Sequence, residues 1–327
     1  MEMTFEAFAR SHGLIVPHIV PDRWVRVRTT DKPRHRNGAY KYLGDVAFVQ
    51  NWANMVEPAV WRAGRADAPS QPRTAPSIGA DERARMRAEQ LKQQAHSIHA
   101  MREHWESLPP LAGGHPYLHA KGLSMQGCNG LRIDGDLLVI PVYRASTLIS
   151  LQTIAPDGTK RYRYGCPIKG GRFTLNRRDA TLTAIVEGFA TGLAVYQSVP
   201  VARVVVCFDA GNMVAVAQRL SVTGLTVVCA DNDWQTEART GSNPGIERAR
   251  QAADAIGCGI ASPQGIEGTD WADALQEYTQ AASAQGSRNP HAQATVRVKV
   301  EIMKEAKPIF KQDKNFGQTP GKGRAMT

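Results

Sequence analysis

Cysteine is sparse in this chain and never paired for chemistry. The 327 residues include five, Cys128, Cys166, Cys207, Cys229 and Cys258, and no two form a Cys-x-x-Cys unit. That spacing excludes a zinc ribbon and a secreted disulfide framework, so zinc is not expected. Cys207 and Cys229 lie inside apolar runs, where a thiol serves as a small core residue. Long apolar runs are missing too. None approaches the ~18 residues that a membrane-spanning helix needs, and Met1 to Arg10 is an amphipathic mixture rather than a signal peptide. A cytoplasmic protein with no membrane partner is the expectation. Acid is the scarcer charge: 30 Asp and Glu stand against 40 Lys and Arg, for a net +10. Such a balance favours an anionic partner, nucleic acid above all. What is present, 42% apolar residues over this length, suffices for two domains with a sizeable core.

The acidic residues that do occur sit at the ends of short apolar runs. Thr183 to Val186 leads into Glu187 and Gly188, a second run ends at Asp209, and Leu225 to Ala230 leads into Asp231 and Asp233. Runs of this length bounded by Gly and Asp read as strands buried on both faces, with helices in the intervals. In an open parallel sheet, ligands sit at the carboxyl ends of the strands, so these carboxylates converge there. Asp231 and Asp233, two apart in extended chain, point to one side. Their hard oxygens suit Mg²⁺. The same residues also suit turns and helix caps: Asp231 and Asp233 before the next helix, Asp209 before the helix from Asn212 to Leu220, Asp270 and Asp273 before Ala274 and Leu275.

Taken in order, four stretches carry a resemblance. Glu187-Gly-Phe-Ala-Thr-Gly-Leu193, Phe208-Asp-Ala-Gly-Asn-Met213, Ala230-Asp-Asn-Asp233 and Gly268-Thr-Asp-Trp-Ala-Asp273 resemble the motifs of the Toprim domain. That metal-binding fold is shared by bacterial-type primases and by type IA and II topoisomerases, and this chain is closer to the Toprim primases of phages and plasmids. The resemblance extends upstream into Trp24 to Trp52 and His115 to Phe173. It implies an α/β fold: a Rossmann-like parallel sheet flanked by helices, preceded by a small β-rich subdomain and an N-terminal α+β module.

The resemblance also implies an activity, DNA primase, which makes short RNA primers on single-stranded DNA by metal-dependent nucleotidyl transfer in phage or plasmid replication or transfer. Asp231 and Asp233 are then metal ligands and Glu187 the acid/base or a further metal contact, with Mg²⁺ as the ion and Mn²⁺ as its substitute. Thr191 stands four residues after the glutamate, where housekeeping primases often carry an aspartate, so Asp270 and Asp273 become candidates for the remaining metal contact. Gly188 allows close approach of a phosphate, and Asp209 is a further candidate beside the nucleotide. Two other readings stay open: a Toprim nuclease or topoisomerase fragment, and a non-catalytic DNA-binding replication protein. Against a topoisomerase, Tyr196 is the nearest tyrosine and falls within the helix after Glu187.

The remaining segments supply cations. In residues 1–65, a basic module, Thr4 caps a short helix bearing Phe5 and Phe8. Two strands of a hairpin follow and carry Arg23, Arg26, Arg28 and Lys41, with Arg34 and Arg36 in the turn. Interleaved with Trp24, Tyr40, Tyr42 and Trp52, these suit phosphate contact and base stacking, or the aromatics form the module's own core. Residues 66–110 are a linker followed by a long helix. Residues 111–180, the β-rich subdomain, bring Lys160, Arg161, Arg163, Lys169 and Arg172 together as candidates for holding nucleoside triphosphate or template. Residues 181–280 are the Toprim domain. Residues 281–327 read as a flexible basic tail with a marginal strand at Ala294 to Ile302. Gly317 to Gly323 is one residue short of a phosphate-binding loop, which leaves a separate helicase as a partner.

Overall fold

Alternation of apolar and polar residues builds the N-terminal unit as a sheet with one covered face. The computed structural model describes residues 3–55, 58–63, 80–221 and 224–309 and divides into two units, 1–79 and 80–327. In the first, helix α1 (Phe5–Ser11) is capped by the Thr4 hydroxyl. Five antiparallel strands follow in sheet order: β1 (Leu14–Ile15), β2 (Trp24–Thr29), β3 (Gly38–Tyr42), β4 (Val46–Asn51) and β5 (Ala59–Arg62). Val27, Tyr40, Ala47, Val49 and Trp61 pack against Phe5 and Ala9 of α1 to form its core. Tyr40 is fully buried, whereas Trp24 and Trp52 are 50% and 47% exposed. The aromatic stripe therefore splits into core and surface.

The second unit opens with the 28-residue helix α2 (Ala80–Ser107). Its C-terminal part docks: Met101 and Trp105 pack on Val139 and Leu151. Helix α3 (Pro116–Ala120) follows, then a four-stranded antiparallel sheet of β6 (Arg132–Asp134), β7 (Leu137–Arg144), β8 (Thr147–Ile154) and β9 (Lys160–Tyr162). Asp157 and Gly158 make the turn between β8 and β9, the Asp157 carboxylate accepting from the Thr159 amide at 2.8 Å.

The sheet that carries the acidic motifs is mostly parallel, in the order β10-β12-β11-β13-β14. Its strands are β10 (Phe173–Leu175), β11 (Leu182–Val186), β12 (Ala202–Val206), β13 (Gly224–Cys229) and β14 (Gly259–Ala261), with β15 (Lys307–Ile309) antiparallel to the first half of β13. Strands β11 and β13 are buried along nearly all their length because both faces are covered. On one face lie α4 (Phe189–Ser198), α8 (Trp271–Ala284) and α9 (Pro290–Glu305), packed on Ala184, Val186, Val204 and Val227. Helices α5 (Ala210–Ala217) and α7 (Pro244–Ile256) cover the other through Ile185, Val205 and Val228. The short α6 (Trp234–Thr240) lies between β13 and α7 in the chain. A side chain at Gly192 would meet Val206 at 2.7 Å, so its absence lets α4 sit close to the sheet. The apolar residues of β7 and β8 join the same continuous core.

Ala294 to Ile302, expected as a strand in a flexible tail, is instead inside α9, and residues 307–309 add a strand to the sheet. The β-branched residues there alternate and imitate a strand. Spacing by four decides the outcome: Ala294, Val298 and Ile302 are buried at 1%, 0% and 0%, while Val296 and Val300 are 59% and 60% exposed. The Gly317 to Gly323 stretch lies outside the described residues. Among the described residues, no helix is long and apolar enough to cross a membrane.

Candidate active site

Three of the acidic motifs, those of Glu187, Asp209 and Asp231, follow within three residues of the ends of β11, β12 and β13, and the strand order brings those ends together. β11 lies between β12 and β13, so Glu187 has the Asp209 turn on one side and the loop from Asp231 to Asp233 on the other. Backbone bonds fix this rim. The Phe208 amide donates to the Glu187 carbonyl at 2.7 Å, the Ala230 amide to Ala261 at 2.8 Å and the Asn232 amide to Thr269 at 2.7 Å. The last of these ties the loop from Asp231 to Asp233 to the segment that leads into Asp270. Phe208, at φ +71°, is one of three non-glycine residues among those described with left-handed backbone, so the turn into Asp209 is held against its own preference.

The carboxylates repel one another. Burial, then the charges of Asp209 and Asp233, push the Glu187 carboxyl up to about 7, opposed by Lys160. Asp231 is raised well above the ordinary range by burial and by Asp270, Glu187 and Asp233. Asp270 is raised by burial and by Asp273. Negative charge is thus concentrated here beyond what nearby cations balance.

Four of the acids are engaged locally. Asp270 caps α8, its Oδ1 accepting from the Ala272 and Asp273 amides at 2.6 and 3.0 Å, and Asp273 returns the bond in a capping box. Asp273 also accepts from Lys121 Nζ at 2.8 Å. Burial pushes Asp273 up, but that bond and the Thr269 and Asp270 amides outweigh it and hold the carboxyl below its ordinary value. Asp209 caps α5 through the Gly211 amide at 2.8 Å. Asp233 Oδ2 accepts from the Gly245 amide at 3.0 Å, at the start of α7. Asn243 caps that helix and also accepts from the Asp233 amide at 3.1 Å. Thr191 directs its hydroxyl toward Asp231 Oδ1 at 3.5 Å: where a carboxylate would add charge, this chain offers a donor.

Of the five basic candidates in the β-rich subdomain, Lys160 is the one whose charge bears on both Glu187 and Asp231. A Cβ at Gly188 would lie 3.7 Å from its ammonium nitrogen. Its strand is tied to the rim by Tyr162, whose hydroxyl donates to the Phe208 carbonyl. Arg161, Arg163 and Lys169 are exposed, and Arg172 pairs its backbone with Tyr143 at the sheet edge. In the N-terminal unit Arg26, Arg28 and Lys41 sit on the uncovered sheet face, Arg36 lines a groove, and Arg23 and Arg34 are exposed. Sequence reasoning missed Lys121. It follows a short helix 152 positions before Asp273, and no local pattern marks such a pair. Tyr196 is not a free nucleophile: its ring is covered by Arg177 at 3.9 Å and its hydroxyl donates to the Asn176 carbonyl at 3.2 Å.

The donor chemistry, several carboxylates whose proton affinity burial and neighbouring acids raise, fits a hard divalent cation. Among the described residues, however, no group of three His, Cys, Asp or Glu side chains is gathered closely enough to hold one.

The stretch that carries this rim also carries a family match. Residues 182–281 match the family described as Toprim domain. The chain is 30% identical over 239 residues to a DNA primase TraC of Escherichia coli, an alignment covering 69% of this chain and 22% of that protein. A second DNA primase TraC of Escherichia coli is 32% identical over 186 residues, covering 54% and 13%. The chain therefore spans only about a fifth or less of the length of these relatives. Among solved structures, the primase fragment of the bacteriophage T7 primase-helicase protein aligns with a TM-score of 0.38 at 11% identity, over 59% of this chain and 78% of that one. A DnaG primase catalytic domain bound to ssDNA aligns at 0.37 and 13%, over 61% and 78%. Residues 182–281 are thus a Toprim domain, set in a chain homologous to part of the DNA primase TraC.

Proposed function

We propose that this chain is a DNA primase, joining the 3′ hydroxyl of a growing RNA primer to the α-phosphate of a nucleoside triphosphate on a single-stranded DNA template, with release of pyrophosphate. The observation that carries the reading is the rim where strand order and backbone bonds bring Glu187, Asp231 and Asp270 together, each with its proton affinity raised by burial and by neighbouring carboxylates. The similarity to DNA primase TraC gives that rim its reaction.

Asp231 and Asp233 would hold a divalent ion, Mg²⁺ or in its place Mn²⁺, with Glu187 beside them. When bound, that ion neutralises charge on the phosphate oxygens and favours loss of the hydroxyl proton. Glu187, half-buried and pushed up to about 7, takes up or gives back a proton near neutral pH, as a general base or acid requires. Lys160 meets the triphosphate, its ammonium lying over Gly188 at the start of α4. Asp270 and Asp273 act mainly by capping α8 and by receiving Lys121, which holds the rim's fourth segment in place. The exposed Arg161, Arg163 and Lys169, with Arg172, contact template backbone. A separate helicase would deliver the template.

Incubation with a single-stranded template, labelled ribonucleotides and Mg²⁺ tests the reading. Short products that vanish in Asp231→Asn and Glu187→Gln support it. Cleavage of the template without synthesis would instead assign the rim to a nuclease. Binding with neither reaction would make the chain a non-catalytic replication protein.

A further inference from the structure

Among the described residues of the N-terminal unit, no helix packs against one face of its sheet. Strand pairing sets Trp24, Lys41, Phe48 and Val60 in one row across four neighbouring strands, with Arg26 and Arg28 following Trp24 along β2. The opposite face is the core under α1, so this row looks outward. Its composition is unusual for a solvated surface. Trp24 is 50% exposed and Val60 43%, and the rings of Trp24 and Phe48 lie 6.4 Å apart. Trp52, just past β4, receives the Arg26 guanidinium at 4.0 Å from its ring centre. At the end of β2 the surface continues into a groove of about 820 Å³ lined by Arg26, Lys32, His35, Arg36 and Asn37. No carboxylate belongs to the described residues of this face or groove.

Exposed aromatic rings interleaved with cations, and free of acids, match one ligand by charge and by shape. Every base has a face that stacks, and every linkage carries a negative charge. A duplex hides its base faces, and an acidic protein surface has no use for uncovered rings. We propose that this open sheet face is a binding platform for single-stranded nucleic acid. Trp24, Phe48 and Trp52 stack bases, while Arg26, Lys41 and Arg36 hold phosphates. Its biological role, holding template for the Toprim domain, rests on the primase reading, but the binding itself does not.

The test uses the full chain and a short fluorescein-labelled oligothymidylate, read by anisotropy and by quenching of tryptophan fluorescence. Trp24→Ala and Trp52→Ala should each weaken binding roughly ten-fold. Trp24→Phe and Trp52→Phe, which keep a stacking ring, should bind within about two-fold of the native chain and lose quenching. Arg26→Gln and Arg36→Gln should each lower the salt slope by about 0.7. Affinity unchanged in both alanine variants overturns the proposal. So does equal weakening by alanine and phenylalanine, or a tryptophan dependence that is the same for duplex DNA. Tryptophan-dependent binding without primer synthesis would keep this platform and defeat the enzymatic reading; synthesis with tryptophan-independent binding would do the reverse.

Discussion

Lys121 Nζ donates to Asp273 Oδ1 at 2.8 Å, joining the end of α3 to the first turn of α8 across the site. Both side chains are largely buried, at 30% and 24% exposure. Burial lowers the lysine's proton affinity, but the bond to Asp273 and the charges of Asp270, Asp273 and Asp231 outweigh it. The pair therefore offsets part of the repulsion in an acidic crevice. A double-mutant cycle of Lys121→Met and Asp273→Asn should give a coupling of roughly 1 kcal/mol in thermal or denaturant unfolding. Additive effects would show the contact to be energetically idle.

Glu187 predicts an inverted pH profile. Its carboxyl is raised from 4.5 to about 7 in the folded protein, facing Asp209, Asp233, Asp231 and Lys160. The unfolded chain releases this proton first, so in metal-free protein the folded state loses stability as pH rises from 4.5 to 7 and keeps that penalty above. Asp231 and Asp270, also raised, act in the same direction. Asp273, held low, acts in the opposite one. Metal-free Glu187→Gln should accordingly melt about 2–4 °C above the native chain at pH 8 and nearly with it at pH 4. Its primer synthesis should be lost. A variant less stable at pH 8 would mean that Glu187 is satisfied by its neighbours.

Gly245 marks where α7 meets the loop from Asp231 to Asp233. A Cβ there would collide with the Asp231 carbonyl oxygen and lie 3.1 Å from Asp233 Oδ2. Gly245→Ala should cost about 1–3 kcal/mol and, by displacing the bond from the Gly245 amide to Asp233, weaken the thermal response to Mg²⁺. Unfolding measured with and without the ion separates the two effects.

The last described helix is part of the core. Ile302 is fully buried against the sheet, so Ile302→Ala should cost about 2–5 kcal/mol. Denaturant unfolding checks this, and a cost near zero would return the segment to the flexible tail that its charges suggest.

What could be read from the sequence follows from range. β11 and β13 are legible because strands buried on both faces become unbroken apolar runs, and the motif spacing then fixes Glu187, Asp231 and Asp233 at their ends. The caps at Thr4, Asp209 and Asp270 are legible because they need only three residues. Helix α9 was misread because alternating Val296, Val298 and Val300 satisfy period two and period four at once. The pairing of Lys121 with Asp273, the approach of Lys160 to Glu187 and the outward row of Trp24, Lys41 and Phe48 depend on tertiary placement, which no local pattern encodes.

Manganese binding followed by electron paramagnetic resonance tests the central claim most directly, since it reads the ion at the carboxylate rim without requiring a competent template. The native chain should remove Mn²⁺ from solution, with Mg²⁺ competing, and Asp231→Asn combined with Asp233→Asn should abolish that uptake while leaving the fold intact by circular dichroism. Equal uptake by the native chain and the double variant would contradict the account.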